Sequence, residues 1–369
     1  MRMKKFLILA ATVALSAACS QTFEVNPVSK DGGKIGFGTW AEGLTRTEAR
    51  VQGTNTFLAG DTFAVYGTKD RASGDPTSSV VFDDVVVTAS GSPVDTWSYD
   101  VPRFWDVNYD SYTFYAVSPS AVGTAATVTP STGVIASAAI AFAGNDNDVL
   151  VADKKVVAKG SAPYFSDYAD VPMVFNHIAS LFSLTVRKHT NLDDATVAIT
   201  GIAIDSLKCK GTFNVSAAYT DNHPVVTWTP ANAADSVADF ATANTLGVVS
   251  KTLPTDVTSN AAGDTIISKF IAMPQVFNTT DIKKQTIRIS YTIKVGDEEA
   301  VAHVDVPVLL REFDDTANDD DNVDANYITA WEPGKHYIYN IIIDAKQITF
   351  TASITDWTTT VNGYHYLMD

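Results

Sequence analysis

The feature that most constrains the fold of this chain is an alternation of β-branched or aromatic residues with polar ones, broken by turn-forming residues about every ten positions. Because successive side chains of a strand point to opposite faces, each such segment would bury one face. Clear examples are residues 112–117, 287–293 and 337–343. Apolar residues at helical spacing are scarce, and 234–246 is the best candidate for a helix. The pattern predicts an all-β protein of sandwich type.

Residues 1–18 have the organisation of an export signal. A start with three basic residues precedes the apolar segment 6–15, which is too short to span a bilayer as a stable helix. The small residues 16–18 then form a cleavage region. We find no later apolar run of about 18 residues, so we expect no second membrane segment and a protein that folds outside the cytoplasm.

Cys19 follows the signal directly, as the lipidated cysteine of a lipobox does. We therefore predict lipidation at Cys19 and attachment of the precursor to a membrane. Lipoboxes favour Leu three residues before the cysteine, where this chain has Ser16, so secretion after cleavage near Ala18 stays open. Residues 19–33 are polar and end in two glycines, which predicts a flexible tether.

Charge and cysteine content exclude two classes of protein. The 26 basic and 42 acidic side chains give a net charge of −16, which repels the phosphates that a nucleic-acid binder must neutralise. The chain has only two cysteines, Cys19 and Cys209, so it is not a small disulfide-stapled domain. A hydrophobic core has to stabilise the fold.

A search for catalytic and ligand-binding motifs finds no phosphate loop, dinucleotide fingerprint or nucleophile elbow. No two of the six histidines have the spacing of a helical zinc site. His177 lies among apolar residues, which favours a half-buried, hydrogen-bonded histidine over a catalytic base. The acidic segment 314–324 lacks the Gly and Glu of an EF-hand, which favours a solvated loop over a calcium site. We expect no enzymatic activity, no metal site and no cofactor.

A change of pattern near residue 190 suggests a domain boundary. The strand pattern 174–186 ends in a polar turn at 188–194, and a new alternating stretch begins at 197–204. We therefore predict an N-terminal domain at 34–189 and a C-terminal domain at 190–369.

Short aromatic and turn-forming segments follow one another in a characteristic order: GDTFAVY (60–66), WSY (97–99), FW (104–105), YTFYAVSP (112–119), FNHIA (175–179), MPQ (273–275), WEPGKHYIYN (331–340) and ITDW (354–357). Each is weak alone, because such turns and strand-edge tryptophans are common. Together they resemble the fimbrillin family of Bacteroidetes, the Mfa-like subunits of type V pili. The resemblance covers nearly the whole mature chain.

This resemblance implies two consecutive transthyretin-like Greek-key β-sandwich domains. It also implies a structural subunit of an adhesive cell-surface fimbria that is exported to the outer membrane as a lipoprotein precursor. An Arg-specific protease would cut the precursor, and subunits would polymerise by donor-strand exchange. The matching cleavage position lies in 43–51, where Arg46 is the first candidate and Arg50 the alternative. The implied partners are other fimbrial subunits, the protease and, through the lipid, the membrane.

We predict that residues 34–46 contain the strand that cleavage removes. Alternation turns Ile35 and Phe37 towards the core of the first domain and Trp40 to the other face. Burying the two core-facing side chains contributes about 3–6 kcal/mol, so their loss would leave an unstable and adhesive groove.

The competing interpretation is a surface glycan-binding lipoprotein, which would also be acidic, tethered and rich in aromatic residues. Such a protein needs exposed, coplanar aromatic rings, whereas a pilin buries its aromatic rings in the core. The tail after Trp357 is short for a long donor strand, so stalk, tip and anchor roles all stay open.

Overall fold

The structure is a computed structural model that describes residues 33–41, 57–74, 77–91, 94–142, 148–159, 170–205, 207–231, 251–252, 264–277, 286–307, 328–343 and 348–356. Strands account for most of these residues. The helical parts described are the α-helix α1 (Ser120–Thr124) and a 3₁₀ turn at Thr190–Leu192. The prediction of an all-β fold is confirmed. No helix in these stretches is long and apolar enough to cross a membrane.

The first half of the described chain contains the strands β1 (Phe37–Ala41), β2 (Thr62–Asp70), β3 (Ser78–Gly91), β4 (Val94–Ser98), β5 (Ser111–Ser118), β6 (Thr127–Thr129), β7 (Val134–Ala136), β8 (Ile140–Ala141), β9 (Leu150–Ala152), β10 (Lys155–Ala158), β11 (Val171–His177) and β12 (Ser180–Lys188). The second half contains β13 (Ala195–Asp205), β14 (Lys210–Val215), β15 (Val226–Pro230), β16 (Lys251–Thr252), β17 (Asp264–Ala272), β18 (Gln275–Val276), β19 (Thr286–Val295), β20 (Glu298–Pro307), β21 (Ala330–Trp331), β22 (Lys335–Ile343) and β23 (Ile348–Asp356).

An eight-stranded sheet carries the first core. Its order is β1-β11-β9-β5-β2-β3-β4, and β10 also pairs with β5. Strand β5 shows how alternation builds this core, because Tyr112, Phe114 and Ala116 all join the same buried cluster. This cluster of buried side chains, which also includes Phe63 and Phe82, is called the first core below.

Two four-stranded sheets contribute to a second core. Their orders are β17-β12-β22-β23 and β16-β13-β19-β20. Phe182 of β12, Ile289 of β19 and Tyr339 of β22 all lie in this core. The predicted strands at 112–117, 287–293 and 337–343 are found within β5, β19 and β22.

A further sheet joins the two halves of the chain. Its order is β15-β14-β7-β6, and β8 also pairs with β14. Strands β14 and β15 lie on the other side of the predicted boundary near residue 190. Phe213 and Val215 of β14 pack with Val117 and Val151 of the first sheet. Contacts therefore connect the two predicted domains closely, and the transthyretin-like Greek-key division stays a prediction.

The continuous strand pattern expected at 174–186 is wrong in one respect. It forms two strands, because β11 ends at His177 and β12 starts at Ser180 in a different sheet. The two residues between them use their carbonyls elsewhere: the indole of Trp228 donates to Ile178 O over 2.7 Å, and Gly334 N donates to Ala179 O over 2.8 Å. Strand β12 thus belongs to the second core, although a boundary after residue 189 assigns it to the first domain. The domain limits themselves stay predictions.

The turn in WEPGKHYIYN places β22 against this break. Gly334 has a φ of +70°, a backbone conformation that residues with a Cβ rarely adopt. A Cβ there would also lie 3.1 Å from the carbonyl oxygen of His177. The turn therefore favours glycine, and the close approach of the two chain segments leaves little room for a Cβ.

Candidate functional site

Strand β1 forms one edge of the eight-stranded sheet, where it pairs in parallel with β11. The register aligns Phe37 with Val171 and Ala41 with Phe175, and Val171 N donates to Gly36 O over 2.9 Å. Because β1 is the last strand on this side of the described sheet, its departure would break no ladder except the one with β11. It would leave the edge of β11 open to another strand.

The side chains of Ile35, just before β1, and of Phe37, its first residue, are buried in the first core. Ile35 is 0% exposed and Phe37 is 2% exposed, as the alternation assigns them. Phe37 packs with the edge-to-face geometry that aromatic rings prefer. The rings that meet it, with centroid distances, are Phe63 (6.0 Å), Phe82 (5.3 Å), Tyr99 (5.9 Å) and Phe114 (5.7 Å). Removing this strand would take a ring with four aromatic neighbours out of the first core.

The segment just before β1 is also held on its other side. Residues 99–105, called the clamp loop here, run beside it. Ile35 N donates to Arg103 O over 2.8 Å, and Trp105 N donates to Gly33 O over 2.9 Å. The chain from residue 33 to residue 41 is therefore bound first by the clamp loop and then by β11.

Tyr99 gives the clamp loop a side-chain contact with the strand. Its hydroxyl donates to Ile35 O over 2.6 Å in a buried bond and accepts from Arg103 N over 3.2 Å. The ammonium of Lys34 lies 5.1 Å from the centre of the Tyr99 ring, within cation–π range. Burial raises the pKa of Tyr99, outweighing the opposite effects of Arg103, so the phenol keeps its proton at neutral pH.

Phe57, downstream of the predicted cleavage position, also belongs to the first core. Phe57 is buried, and its ring meets Trp97 edge-on at a centroid distance of 5.1 Å. Arg46 and Arg50 lie between Ala41 and Phe57, outside the described residues. The structure therefore places both flanks of the predicted cut in the same core but says nothing of the cut itself.

Other residues singled out by the sequence also lie outside the described stretches. These are Cys19, the acidic segment 314–324 and the helix candidate 234–246. The backbone of Trp40 pairs with Val174 in the β1–β11 ladder, whereas its side chain is not described. Predictions about these groups stay predictions.

The described tryptophans pack against cores. Trp97 and Trp105 lie half-buried on the first core, and Trp331 is 1% exposed in the second. Trp228 is half-buried and donates its indole N–H to a backbone carbonyl. These side chains form no shared exposed face of the kind that stacks on sugars. The structure thus gives no support to the glycan-binding alternative.

The side chain of His177 is nearly buried and pairs with Asp148. The distance from Nδ1 to Oδ1 is 3.1 Å, and the two side chains are 11% and 2% exposed. This agrees with a histidine that is hydrogen-bonded within the fold. No group of three metal-binding side chains occurs in the described part of the chain. The absence of enzymatic activity stays an expectation.

Sequence reasoning missed the clamp loop. Tyr99 occurs in the WSY segment of the family resemblance, but nothing in the pattern says that its hydroxyl reaches Ile35, 64 positions earlier. Contacts of this kind depend on the tertiary arrangement of two segments that have no periodic relation. The parallel pairing of β1 with β11 could not be predicted from the sequence either, because alternation fixes which face of a strand is buried but not which strand it pairs with.

Comparison with known protein families finds a match to the fimbrillin-like family over residues 45–357. The chain belongs to the fimbrillin-like family. Among solved structures, a fimbrial protein from Bacteroides vulgatus has the same fold, with a TM-score of 0.56, 16% identity, and 88% of this chain and 99% of that chain covered. The tip fimbrial protein Mfa3 from Porphyromonas gingivalis, with C-terminal truncation, gives a TM-score of 0.34 at 9% identity, covering 81% of this chain and 95% of that chain. A search of curated proteins finds no match.

Proposed function

We propose that this protein is a structural subunit of a cell-surface fimbria that polymerises by exchanging β1 for a strand of another subunit. The observation that carries the proposal is that Phe37, whose ring meets four others in the first core, lies on a strand at the edge of the sheet. The precursor would be held at the outer membrane by lipid on Cys19 and cut after Arg46 or Arg50 by an Arg-specific protease. Its partners are other fimbrial subunits, and the assembled fibre serves adhesion without a cofactor.

The burial of Ile35 and Phe37 gives the exchange its driving force. Both side chains are essentially inaccessible to water, so their removal costs about 3–6 kcal/mol. Domains of this kind are stable by only about 5–15 kcal/mol. A subunit that has lost β1 therefore gains much of its stability back by binding an apolar strand from a neighbour.

The edge of β11 supplies the second part of the binding energy. Once β1 has left, the backbone groups of β11 that paired with residues 37–41 become available. An extended segment with alternating apolar residues satisfies them by strand addition, in which the backbone gives affinity and the side-chain pockets give register. The vacated site thus selects a strand, not a helix or a small molecule.

The position of the predicted cut fits this exchange. Arg46 and Arg50 both follow Ala41, the last residue of β1, and both precede Phe57. A cut after either arginine would leave the whole of β1 on the released fragment. Phe57 would stay in the core of the remaining subunit.

The test is to treat purified precursor with an Arg-specific protease and follow its size by light scattering. Wild type should form polymers after the cut, whereas the uncut precursor stays monomeric. Arg46→Ala should delay cleavage or redirect it to Arg50. Arg46→Ala combined with Arg50→Ala should prevent both cleavage and polymer formation. Polymerisation of the uncut double variant, or a cut wild type that loses β1 and remains a stable monomer, would overturn the proposal.

A further inference from the structure

We infer that Tyr99 is a positioning residue that sets how long the N-terminal strand stays bound, acting as a latch through its hydroxyl. The inference deepens the proposed function and rests on it for its biological meaning. Its physical content is independent, because it concerns only the contacts between the clamp loop and residues 33–37. Phe37 makes the strand energetically important, whereas Tyr99 controls its release.

The order of contacts along the strand supports this role. A cut after Arg46 or Arg50 frees the end of β1 at Ala41, so peeling from that end opens the ladder with β11 first. The last contacts reached are those of residues 33–35 with the clamp loop. Among them, Trp105 N donates to Gly33 O, and Ile35 has its amide on Arg103 O and its carbonyl on the Tyr99 hydroxyl. The latch therefore lies near the end of the release path.

The Tyr99 hydroxyl is positioned to act on the strand specifically. It accepts a hydrogen bond from Arg103 N over 3.2 Å and donates one to Ile35 O over 2.6 Å. Its other possible acceptor, Arg103 O, is more distant at 3.5 Å. One hydroxyl thus connects the loop to the strand. When Ile35 leaves, the hydroxyl can donate to Arg103 O instead. The bond to Ile35 O is then replaced by a longer and weaker one.

The clamp loop is itself tied to the body of the sheet. The guanidinium of Arg103 donates from Nε to Val81 O on β3 over 3.1 Å and from Nη1 to Val101 O over 3.3 Å. These bonds hold the backbone of residue 103 where Ile35 needs its partner. The latch is therefore a fixed structure against which the strand opens. Removal of the Tyr99 hydroxyl takes away its bonds to Ile35 O and Arg103 N and leaves the bonds of the Arg103 guanidinium in place.

Amide hydrogen exchange of the uncut, full-length precursor tests the latch without relying on cleavage or assembly. Tyr99→Phe keeps the ring and removes the hydroxyl, and we expect exchange in residues 33–41 to accelerate about three- to tenfold. Tyr112→Phe is the matched control, because its hydroxyl accepts from Asp106 N over 2.6 Å in the same core. That variant should change exchange in residues 33–41 by less than twofold.

After cleavage of the same proteins, the fragment that remains bound is counted by gel filtration and mass spectrometry. Faster loss from Tyr99→Phe, by a similar factor, is the expected result. Unchanged exchange in Tyr99→Phe, or equal acceleration in Tyr112→Phe, overturns the latch. If the fragment leaves faster from Tyr99→Phe but no polymer forms, the latch stands and the proposed function fails. If polymers grow while Tyr99→Phe behaves as wild type, the proposed function stands and the latch fails.

Discussion

At the scale of single residues, Phe37 accounts for a large part of the energy that ties the N-terminal segment to the body. Truncation to Ala would remove a ring that contacts several others and leave a cavity in the first core. We expect Phe37→Ala to lower the free energy of unfolding by about 3–5 kcal/mol. Urea denaturation followed by intrinsic fluorescence measures it.

Phe104 is the matched control for this prediction. It lies on the clamp loop close to the same segment, but its side chain is 55% exposed. Phe104→Ala should change stability by less than about 1 kcal/mol. Equal losses in the two variants would mean that the position of Phe37 in the aromatic cluster does not matter.

The inward direction of Ile35 and Phe37 could be read from the sequence, because alternation along a strand has a fixed period. The role of Tyr99 could not be read from the sequence, because its partner is a backbone carbonyl and every residue type has such a carbonyl. Side-chain periodicity carries no information about which carbonyl a distant hydroxyl will find. Residues that hold a strand from the side therefore emerge only from the structure.

At the scale of elements, Gly38 within β1 and Gly33 in the segment before it differ in the substitutions they allow. Gly38 lies within the strand, has no left-handed φ, and a Cβ there would meet only Asp170 Cβ at 3.7 Å, an ordinary contact. We expect Gly38→Ala to stabilise the precursor by about 0.4–1 kcal/mol, because Ala has less conformational entropy to lose. Gly33 has φ of +64°, so Gly33→Ala should destabilise by about 1–2 kcal/mol.

Thermal and urea unfolding of the two glycine variants decide this prediction, because the expected signs are opposite. Gly38→Ala should also retain the cut fragment for longer. Two changes of the same sign would show that β1 does not hold the extended backbone described for it.

The strands at 287–293 and 337–343 were predictable because their core-facing residues alternate with more exposed ones over most of their length. The strand at 112–117 was predictable from its β-branched and aromatic residues, although residues 114–117 are all buried. The break between β11 and β12 was not, since apolar residues continue through Ile178 and Ala179. Both residues are buried, and their carbonyls are satisfied by the Trp228 indole and the Gly334 amide. Because Ile178, Ala179 and Ser180 are all buried where the chain changes sheet, no exposed turn marks the break.

At the scale of the whole molecule, buried phenols make stability depend on alkaline pH. Burial raises the pKa of Tyr112 to about 12 and also raises those of Tyr99 and Tyr115. An unfolded phenol ionises near pH 10, so the stability from these groups is intact below about pH 10 and falls as the pH rises through the folded values. The loss approaches about 1.4 kcal/mol per pH unit for each such phenol.

Urea midpoints measured between pH 8 and pH 11.5 test this dependence. They should hold steady up to about pH 9.5 and then decline, and the decline should be shallower in Tyr112→Phe than in wild type. A midpoint that stays constant to pH 11.5, or a slope that the substitution leaves unchanged, would contradict the burial of these hydroxyls.

The sheet formed by β6, β7 and β8 with β14 and β15 is a property of the whole chain that the sequence did not reveal. Alternation assigns faces to strands but not partners, and these strands are more than 60 positions apart. Alternation predicted the all-β fold, and the family resemblance indicated the importance of the N-terminal segment. Parallel pairing with β11, the clamp loop and this shared sheet came from the structure.

The central claim is that the first core is completed by a strand that can be separated from the rest of the chain. The most direct measurement compares the full precursor with a chain that starts at Thr47, with and without a synthetic peptide copying residues 33–41. The truncated chain should have a lower unfolding midpoint and form oligomers, and the peptide should restore the midpoint and suppress the oligomers. A peptide carrying Phe37→Ala should do neither. A truncated chain that is monomeric, as stable as the precursor and unable to bind the peptide would contradict the claim.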